Sequence, residues 1–199
     1  MSLGQWWDTS VLPRLTDRAL RSPVAQHWRE RTCAAATGVV LEVGFGSGRN
    51  LPHYPDAVCR VLAVEPADLA WTMAESRRAE FGRPVERIGH DAAVLDLPDA
   101  SVDTVISTWT LCTIPDTQGA LAQMRRVLRP GGQLVFAEHT ISDQRLVAAF
   151  ERGIQPIWGA LAGGCRLDRD IPAEVERAAY RLDNLRTDGF FVHATAHPS

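Results

Sequence analysis

The residues that point most directly to chemistry form a glycine-rich turn after a short apolar run, with Gly44, Gly46 and Gly48 at alternate positions. Glycine adopts positive φ at little cost and lets a ligand approach the backbone closely. A dinucleotide fingerprint would need its third glycine where Arg49 stands, and a P-loop would need Gly-Lys-Ser/Thr. The turn by itself is therefore consistent with a loop for a nucleotide cofactor without pyrophosphate and equally with an ordinary strand–helix connection. Glu42, at the end of the apolar run, supplies a carboxylate for a cationic group or for ordering the loop.

A second acid completes this pattern. Glu65 follows the next apolar run and lies 21 positions after Gly44. In a right-handed βαβ unit its carboxylate is expected beside the glycine loop, where it can accept both hydroxyls of a ribose. Charge-assisted hydrogen bonds of this kind contribute roughly 1.5–3 kcal/mol each when shielded from water. The plainer interpretation is a solvated acid, but the carboxyl edge of such a sheet is where ligands bind.

The elements that must position these residues alternate between strand and helix. This alternation predicts an α/β, Rossmann-like, doubly wound parallel sheet with helices on both faces. A turn is expected at 128–132, and a hairpin around Asp188-Gly189 joins two late antiparallel strands. The predicted strands are 39–43, 60–64, 85–88, 102–107, 133–137, 180–186 and 190–196; the predicted helices are 67–81, 117–127 and much of 143–179, broken at Pro156 and Gly163-Gly164.

The chain of 199 residues is expected to form one domain in three parts. Residues 1–38 form a helical cap, which Pro13 divides into two short helices. Residues 39–138 form the cofactor-binding core, and residues 139–199 contribute acceptor-side helices and the terminal hairpin.

Four motifs in order resemble the class I S-adenosylmethionine-dependent methyltransferases. They are Val40 to Gly48, Val64-Glu65-Pro66, Asp99 to Asp103 and Val127 to Gly132. The resemblance implies a seven-stranded sheet of order 3-2-1-4-5-7-6 with the last strand antiparallel, and S-adenosylmethionine as cofactor.

The same resemblance assigns parts of the cofactor to positions in this sequence. The glycines would line its methionine part, Glu65 would hold the ribose, Asp91 and Ala92 would flank adenine, and Ser107 and Thr108 would contact the methionyl group. The full set of expected cofactor-binding residues is Glu42, Gly44, Gly46, Gly48, Asn50, Glu65, Pro66, Asp91, Ala92, Ser107 and Thr108.

A narrower resemblance runs through Trp7-Asp8, Leu111-Cys112, Glu138-His139 and the segment Gly164 to Leu167. These positions are similar to a bacterial branch of phospholipid or small-molecule methyltransferases and to the membrane-associated thiol methyltransferases of animals. The animal proteins carry an N-terminal membrane segment, and no such segment is expected here. The resemblance implies methyl transfer to a small apolar acceptor: a thiol, an amine or a lipid headgroup.

Methyl transfer from a sulfonium needs little beyond positioning, but a thiol or a protonated amine must lose a proton. Glu138 and His139, at the end of the fifth predicted strand, are the candidate catalytic residues, and the histidine has a suitable pKa. The structural alternative is that His139 caps the next helix or completes the sheet edge. Cys112 and Cys165 suggest a nucleophile, but the reaction requires none, and a free cysteine is often a small buried apolar residue.

The composition of the chain limits the classes of molecule that it is expected to bind. The formal net charge of −3 gives no reason to expect nucleic acid, and the scattered cysteines predict neither a metal site nor a disulfide framework. The N-terminus resembles no secretory signal, and no apolar run is long enough to span a bilayer, so a cytoplasmic location is expected. An interfacial helix at 5–20 is the minority alternative, because Pro13 and a weak positive charge oppose it.

Two competing functions remain at this point. A protein that binds the cofactor or its demethylated product without catalysis would show the same motifs. A nicotinamide-dependent oxidoreductase is opposed by Arg49 in place of the third glycine. The oligomeric state is not indicated.

Overall fold

The fold is built on one seven-stranded sheet. The computed structural model describes residues 3–199. The strand order is β3-β2-β1-β4-β5-β7-β6, with β7 antiparallel to both of its neighbours and the other pairs parallel. The order and the antiparallel hairpin predicted above are therefore confirmed. The strands are β1 Gly38–Val43, β2 Val58–Val64, β3 Val85–Gly89, β4 Val102–Thr108, β5 Leu128–His139, β6 Tyr180–Asp188 and β7 Phe191–Pro198.

The central strands are apolar because both of their faces are covered. Leu41 and Val43 of β1 contribute to one buried cluster, whereas Val40 points to the other. The first cluster includes Leu121 of the helix after β4, and the second includes Cys33 of the helix before β1. Helices therefore cover both faces of the sheet, as the uninterrupted apolar runs predicted.

The predicted turn at 128–132 lies inside a strand. β5 begins at Leu128, and its register against β4 shifts between Val102 and Thr104, which pair with Leu128 and Gln133. Gly131, at φ +81°, absorbs the extra residues of this irregularity. The segment is thus a bulge within β5 rather than a turn before the strand, and residues 129–132 have no partner in β4.

Eight α-helices surround the sheet within the part of the chain that the structure describes. The predicted helix at 67–81 is divided at Ala74, and the helix at 117–127 has the predicted bounds. The helices are α1 Leu3–Trp6, α2 Leu12–Ala19, α3 Pro23–Ala34, α4 Asp68–Met73, α5 Glu75–Phe81, α6 Thr117–Val127, α7 Arg145–Leu161 and α8 Ile171–Arg177.

Two prolines act differently from the prediction. Pro13 lies in the first turn of α2, where a missing N–H costs nothing, and a π-helical turn, Trp7–Val11, joins α1 to it. Pro156 does not break α7. Gln155, one position earlier, accepts a hydrogen bond from Leu167 N (2.7 Å) and donates one to Cys165 O (3.1 Å). These two bonds tie the helix to the segment that follows it.

Candidate functional site

The glycine loop connects β1 to the short 3₁₀ turn Leu51–His53, and its glycines serve different purposes. All three have positive φ: +74° at Gly44, +58° at Gly46 and +74° at Gly48. A Cβ on Gly44 would lie 1.9 Å from the Thr110 hydroxyl oxygen, so close packing excludes a side chain there. A Cβ on Gly46 would meet nothing nearer than a backbone oxygen at 3.9 Å. Gly46 therefore leaves open space over the loop for a ligand.

Glu65 lies at the end of β2 against this open position. Its carboxylate accepts hydrogen bonds from Gly46 N (2.6 Å) and from Ala67 N (2.8 Å), and the residue is only 5% exposed. Burial raises the pKa of Glu65, although the two backbone donors oppose that effect. The structure thus places the acid beside the glycine loop, as the sequence predicted. Pro66, the next residue, is exposed at the same edge.

Glu42 is the centre of a buried polar network behind the loop. Asn50 donates to one carboxylate oxygen (2.9 Å), and Tyr54 donates to the other (2.7 Å). Asn50 also donates to Thr108 Oγ (3.2 Å) and accepts from Arg29 Nε (2.9 Å). Burial raises the pKa of Glu42 to about 8, even though Tyr54 and Asn50 stabilise its charged form. The network fixes the base of the loop in one position.

The N-terminal helices are attached to the same loop through Asp17 of α2. The buried Asp17 carboxylate accepts hydrogen bonds from Ser47 Oγ (2.5 Å), Arg49 Nε (2.8 Å) and Arg21 (2.8 Å). Burial alone would raise its pKa, but these donors, Arg49 first, hold it well below its ordinary value. Asp17 therefore joins α2 to the glycine loop.

Arg49 also has a hydrogen-bond donor at the loop that is not used within the described part of the chain. Its Nη2 atom is buried and has no hydrogen-bond partner among the described residues. Buried polar atoms are paired in most native structures, so an orphaned guanidinium nitrogen beside a ligand loop suits an anionic group of that ligand.

The predicted adenine-flanking pair follows β3. Asp91 is exposed, and one of its oxygens accepts a hydrogen bond from Ala93 N (2.9 Å). Ala92 is buried in the core cluster together with Leu95. Arg87 donates to the Glu65 carbonyl (2.6 and 2.9 Å) and so holds the ends of β2 and β3 together.

The predicted acid Glu138 is fully buried at the end of β5. It accepts hydrogen bonds from Ser107 Oγ (2.7 Å), Thr110 N (3.0 Å) and Cys112 N (3.4 Å). Burial raises its pKa against these donors. The arrangement shapes the loop after β4, and its engaged oxygens favour positioning over proton transfer.

His139, the next residue, is partly exposed and adjoins two thiols. Its ring stacks on Phe191 at 5.3 Å, and its Nδ1 atom is 3.7 Å from Cys165 Sγ. Cys165 Sγ is in turn 3.6 Å from Cys112 Sγ. The hydrogen bond with Cys112 is the main cause that lowers the pKa of Cys165, with His139 contributing in the same direction. A nitrogen base and an acidic thiol therefore meet at the carboxyl edge of β5.

Sequence reasoning missed several members of the site. None of Asp17, Arg29 and Tyr54 was singled out from the sequence, although all three are buried in the structure. The one available signal was the buried-strand position of Glu42, because an acid there requires donors from elsewhere in the chain. Among the described residues, no group of three or more side chains is arranged to hold a metal ion.

The fold and the strand order are those of a Rossmann-like methyltransferase domain, and comparisons with known proteins agree. A family described as a methyltransferase domain matches residues 41–136. A solved S-adenosylmethionine-dependent methyltransferase from Thermotoga maritima superposes with a TM-score of 0.68 at 17% identity, covering 98% of this chain and 100% of that one.

Two relatives are similar in sequence as well. Thiol S-methyltransferase TMT1B of Homo sapiens is 34% identical over 155 residues, which cover 75% of this chain and 62% of that protein. Phosphatidylethanolamine N-methyltransferase of Cereibacter sphaeroides is 34% identical over 136 residues, 66% of each chain. The chain spans about three fifths of the length of the thiol methyltransferases it matches. It belongs to the class I S-adenosylmethionine-dependent methyltransferases.

Proposed function

We propose that this protein transfers a methyl group from S-adenosylmethionine to a small apolar acceptor: a thiol, an amine or a lipid headgroup. The observation that carries the proposal is the contact between the Glu65 carboxylate and Gly46 N (2.6 Å), at a loop position that leaves space for a ligand. This combination suits an adenosyl ligand, whose ribose hydroxyls need an acceptor close to the backbone.

The residues present fit this cofactor. Glu65 would hold the ribose, Asp91 and Ala92 the adenine, and the three glycines the methionine part. The unpaired Nη2 atom of Arg49 would serve the methionine carboxylate. When bound, the cofactor supplies an electrophilic methyl group on a sulfonium, and its leaving group is a neutral thioether.

Positioning supplies most of the required rate enhancement, since well-oriented groups reach effective molarities of about 10⁵–10⁸ M. Thr108 and Asn50 hold the loop from behind, and Glu138 holds the turn that carries Thr110. His139 is the proposed proton acceptor for a thiol or amine, because its ring is partly exposed and its Nδ1 atom adjoins Cys165.

The proposed acceptor classes are taken from the names of two relatives. One is named as a thiol methyltransferase and the other as a methyltransferase of a phospholipid amine. The partly exposed His139 and the aromatic rings of Phe190 and Phe191 around it suit an apolar molecule with one nucleophilic atom.

A methyl-transfer screen tests the proposal. Purified protein with S-adenosylmethionine would be offered apolar thiols, amines and phosphatidylethanolamine, and release of S-adenosylhomocysteine would be measured. Turnover with at least one acceptor class is expected. Cofactor binding by calorimetry without any turnover would favour the non-catalytic alternative, and tighter binding of NAD than of S-adenosylmethionine would contradict the cofactor assignment.

A further inference from the structure

Helix α7 presents an apolar face that no other described part of the chain covers. Of its 17 residues, only Ala148 and Glu151 are buried. Spacings of three, four, seven and eight along a helix bring side chains to one side. Isolated exposed apolar residues are ordinary, but a contiguous group marks an interaction surface. The exposed large apolar residues of α7 are Leu146 (87%), Phe150 (65%), Ile157 (69%), Trp158 (40%) and Leu161 (56%).

The N-terminal helices continue this face. Trp7 Nε1 donates a hydrogen bond to Leu161 O (3.3 Å), which joins the π-helical turn to the end of α7. Leu12 lies over Gly163, where a Cβ would be 2.5 Å from its side chain. Trp6 and Leu15, on either side of this contact, are both about half exposed. We call the exposed apolar residues of α7 together with Trp6 and Leu15 the apolar face.

The exposed charges on helices α2 and α7 have one sign. The acids of α2 and α7, Asp17 and Glu151, are both buried. Every exposed charged side chain on these two helices is an arginine: Arg14, Arg18, Arg145 and Arg152. An apolar helix face with tryptophan and flanking arginines is the pattern of a helix that lies in the interface of a bilayer. Cations near such a surface are attracted by anionic lipids.

We propose that the apolar face docks this protein onto the surface of a lipid bilayer that contains anionic lipids. A second copy of the chain is a poorer occupant, because a symmetric contact would bring the arginines of both copies together. The inference does not depend on methyl transfer. It nevertheless bears on the acceptor, because α7 leads directly to Cys165, whose thiol adjoins His139 at 3.7 Å.

Docking would therefore turn the acceptor side of the site toward the lipid. Apolar acceptors concentrated in the membrane would reach His139 without crossing water. The lipid surface would also bear on α1 and α2, whose Asp17 is bonded to the glycine loop. Within the described residues, no helix combines the length and apolar character needed to cross a membrane.

Vesicle co-sedimentation tests the apolar part of the surface. The full-length protein would be mixed with vesicles of phosphatidylcholine alone or of phosphatidylcholine with phosphatidylglycerol. The double variant Phe150→Ser/Ile157→Ser should lower the partition coefficient roughly 100-fold, because two bulky apolar side chains no longer insert. The control Val94→Ser/Leu185→Ser removes two exposed apolar side chains that lie elsewhere (74% and 48%) and should change binding by less than about twofold.

The arginines are tested separately. Arg145→Gln/Arg152→Gln should reduce binding to the anionic vesicles about tenfold or more, since each cation near such a surface contributes about 1 kcal/mol. Its salt dependence should fall by about half, because Arg14 and Arg18 remain. Arg60→Gln/Arg186→Gln, which removes two exposed arginines from the sheet, should have little effect.

Three results would overturn the proposal. Binding to neither kind of vesicle is the first, and undiminished binding by Phe150→Ser/Ile157→Ser is the second. The third is a wild-type dimer that this variant converts to a monomer while vesicle binding stays absent, which would assign the apolar face to a second copy. None of these readouts requires turnover, so the methyltransferase proposal stands or falls separately.

Discussion

The Asp17 carboxylate of α2 accepts a hydrogen bond from the Ser47 hydroxyl of the glycine loop at 2.5 Å, across 30 positions of the chain. Arg49 donates to the same oxygen at 2.8 Å. The N-terminal helices are therefore fastened to the segment proposed to hold the cofactor. Ordering this loop in advance reduces the entropy that a ligand must overcome on binding.

Replacing Asp17 with Asn should loosen the cofactor loop. At neutral pH, Asp17→Asn should lower the free energy of unfolding by about 2 kcal/mol, because the donors lose a charged acceptor. Cofactor affinity should fall several-fold in calorimetry. Since the pKa of Asp17 is held below its ordinary value, its contribution is present above that value and disappears as pH falls further.

The difference between wild type and Asp17→Asn should therefore shrink in acid. Asp56→Asn, at an exposed position, is the control and should leave the free energy of unfolding unchanged. A difference that stays constant from neutral pH into strong acid would show that the ion pair is not its source.

Glu65 should matter more for binding than for folding. Glu65→Ala removes the acceptor proposed for the ribose and should weaken S-adenosylmethionine binding by roughly 10- to 100-fold. The matched substitution Glu86→Ala, on the exposed side of the neighbouring strand β3, should leave affinity unchanged. Equal calorimetric affinity of Glu65→Ala and wild type would place the ribose elsewhere.

Much of the scaffold follows from local patterns, whereas the side-chain partnerships do not. The apolar runs locate the strands because both sheet faces are buried, and Asp188-Gly189 marks the hairpin. The burial of Asp17 could not be predicted, because arginines at 14, 18 and 21 give its segment the pattern of a solvent-exposed helix. Its donors Ser47 and Arg49 are also remote in sequence.

Pro156 is a second position at which local sequence was a poor guide, because the predicted break in the helix does not occur. A proline weakens a helix locally, but α7 continues because Gln155 is bonded to Cys165 and Leu167 in the following segment. Tertiary contacts, which form only in the folded chain, outweigh the helix-breaking propensity of the proline here. The strand order, in contrast, was correctly predicted from the resemblance to a family, because that order is a property of the whole fold.

Glu42 should make stability depend on pH in the direction opposite to Asp17. Burial raises its pKa from 4.5 to about 8, so the folded chain holds a proton that the unfolded chain releases. The free energy of unfolding therefore falls as pH rises across this interval. Glu42→Gln is neutral throughout, and its unfolding in denaturant should be less sensitive to pH between these values. Glu86→Gln should keep the wild-type slope; a wild-type slope in Glu42→Gln would mean that Glu42 is ionised when buried.

His139 should affect turnover rather than cofactor binding. If its ring accepts the acceptor's proton, His139→Gln should lower kcat about 10²- to 10⁴-fold. Its affinity for S-adenosylmethionine should match that of wild type. His27→Gln, at an exposed position on α3, is the control. An unchanged kcat with reduced thermal stability would assign His139 to the packing of Phe191 alone.

Cys165 should be a more acidic thiol than its neighbour Cys112. Its hydrogen bond with Cys112, and then that with His139, lowers its pKa to about 5, while the pKa of Cys112 is raised. Brief treatment with iodoacetamide near pH 6, followed by peptide mass spectrometry, should label Cys165 ahead of Cys112, because the thiolate is the reactive form. Cys112→Ser should slow this labelling, since the main hydrogen bond to the sulfur is altered. Labelling of Cys112 first would reverse the assignment of the thiolate within the pair.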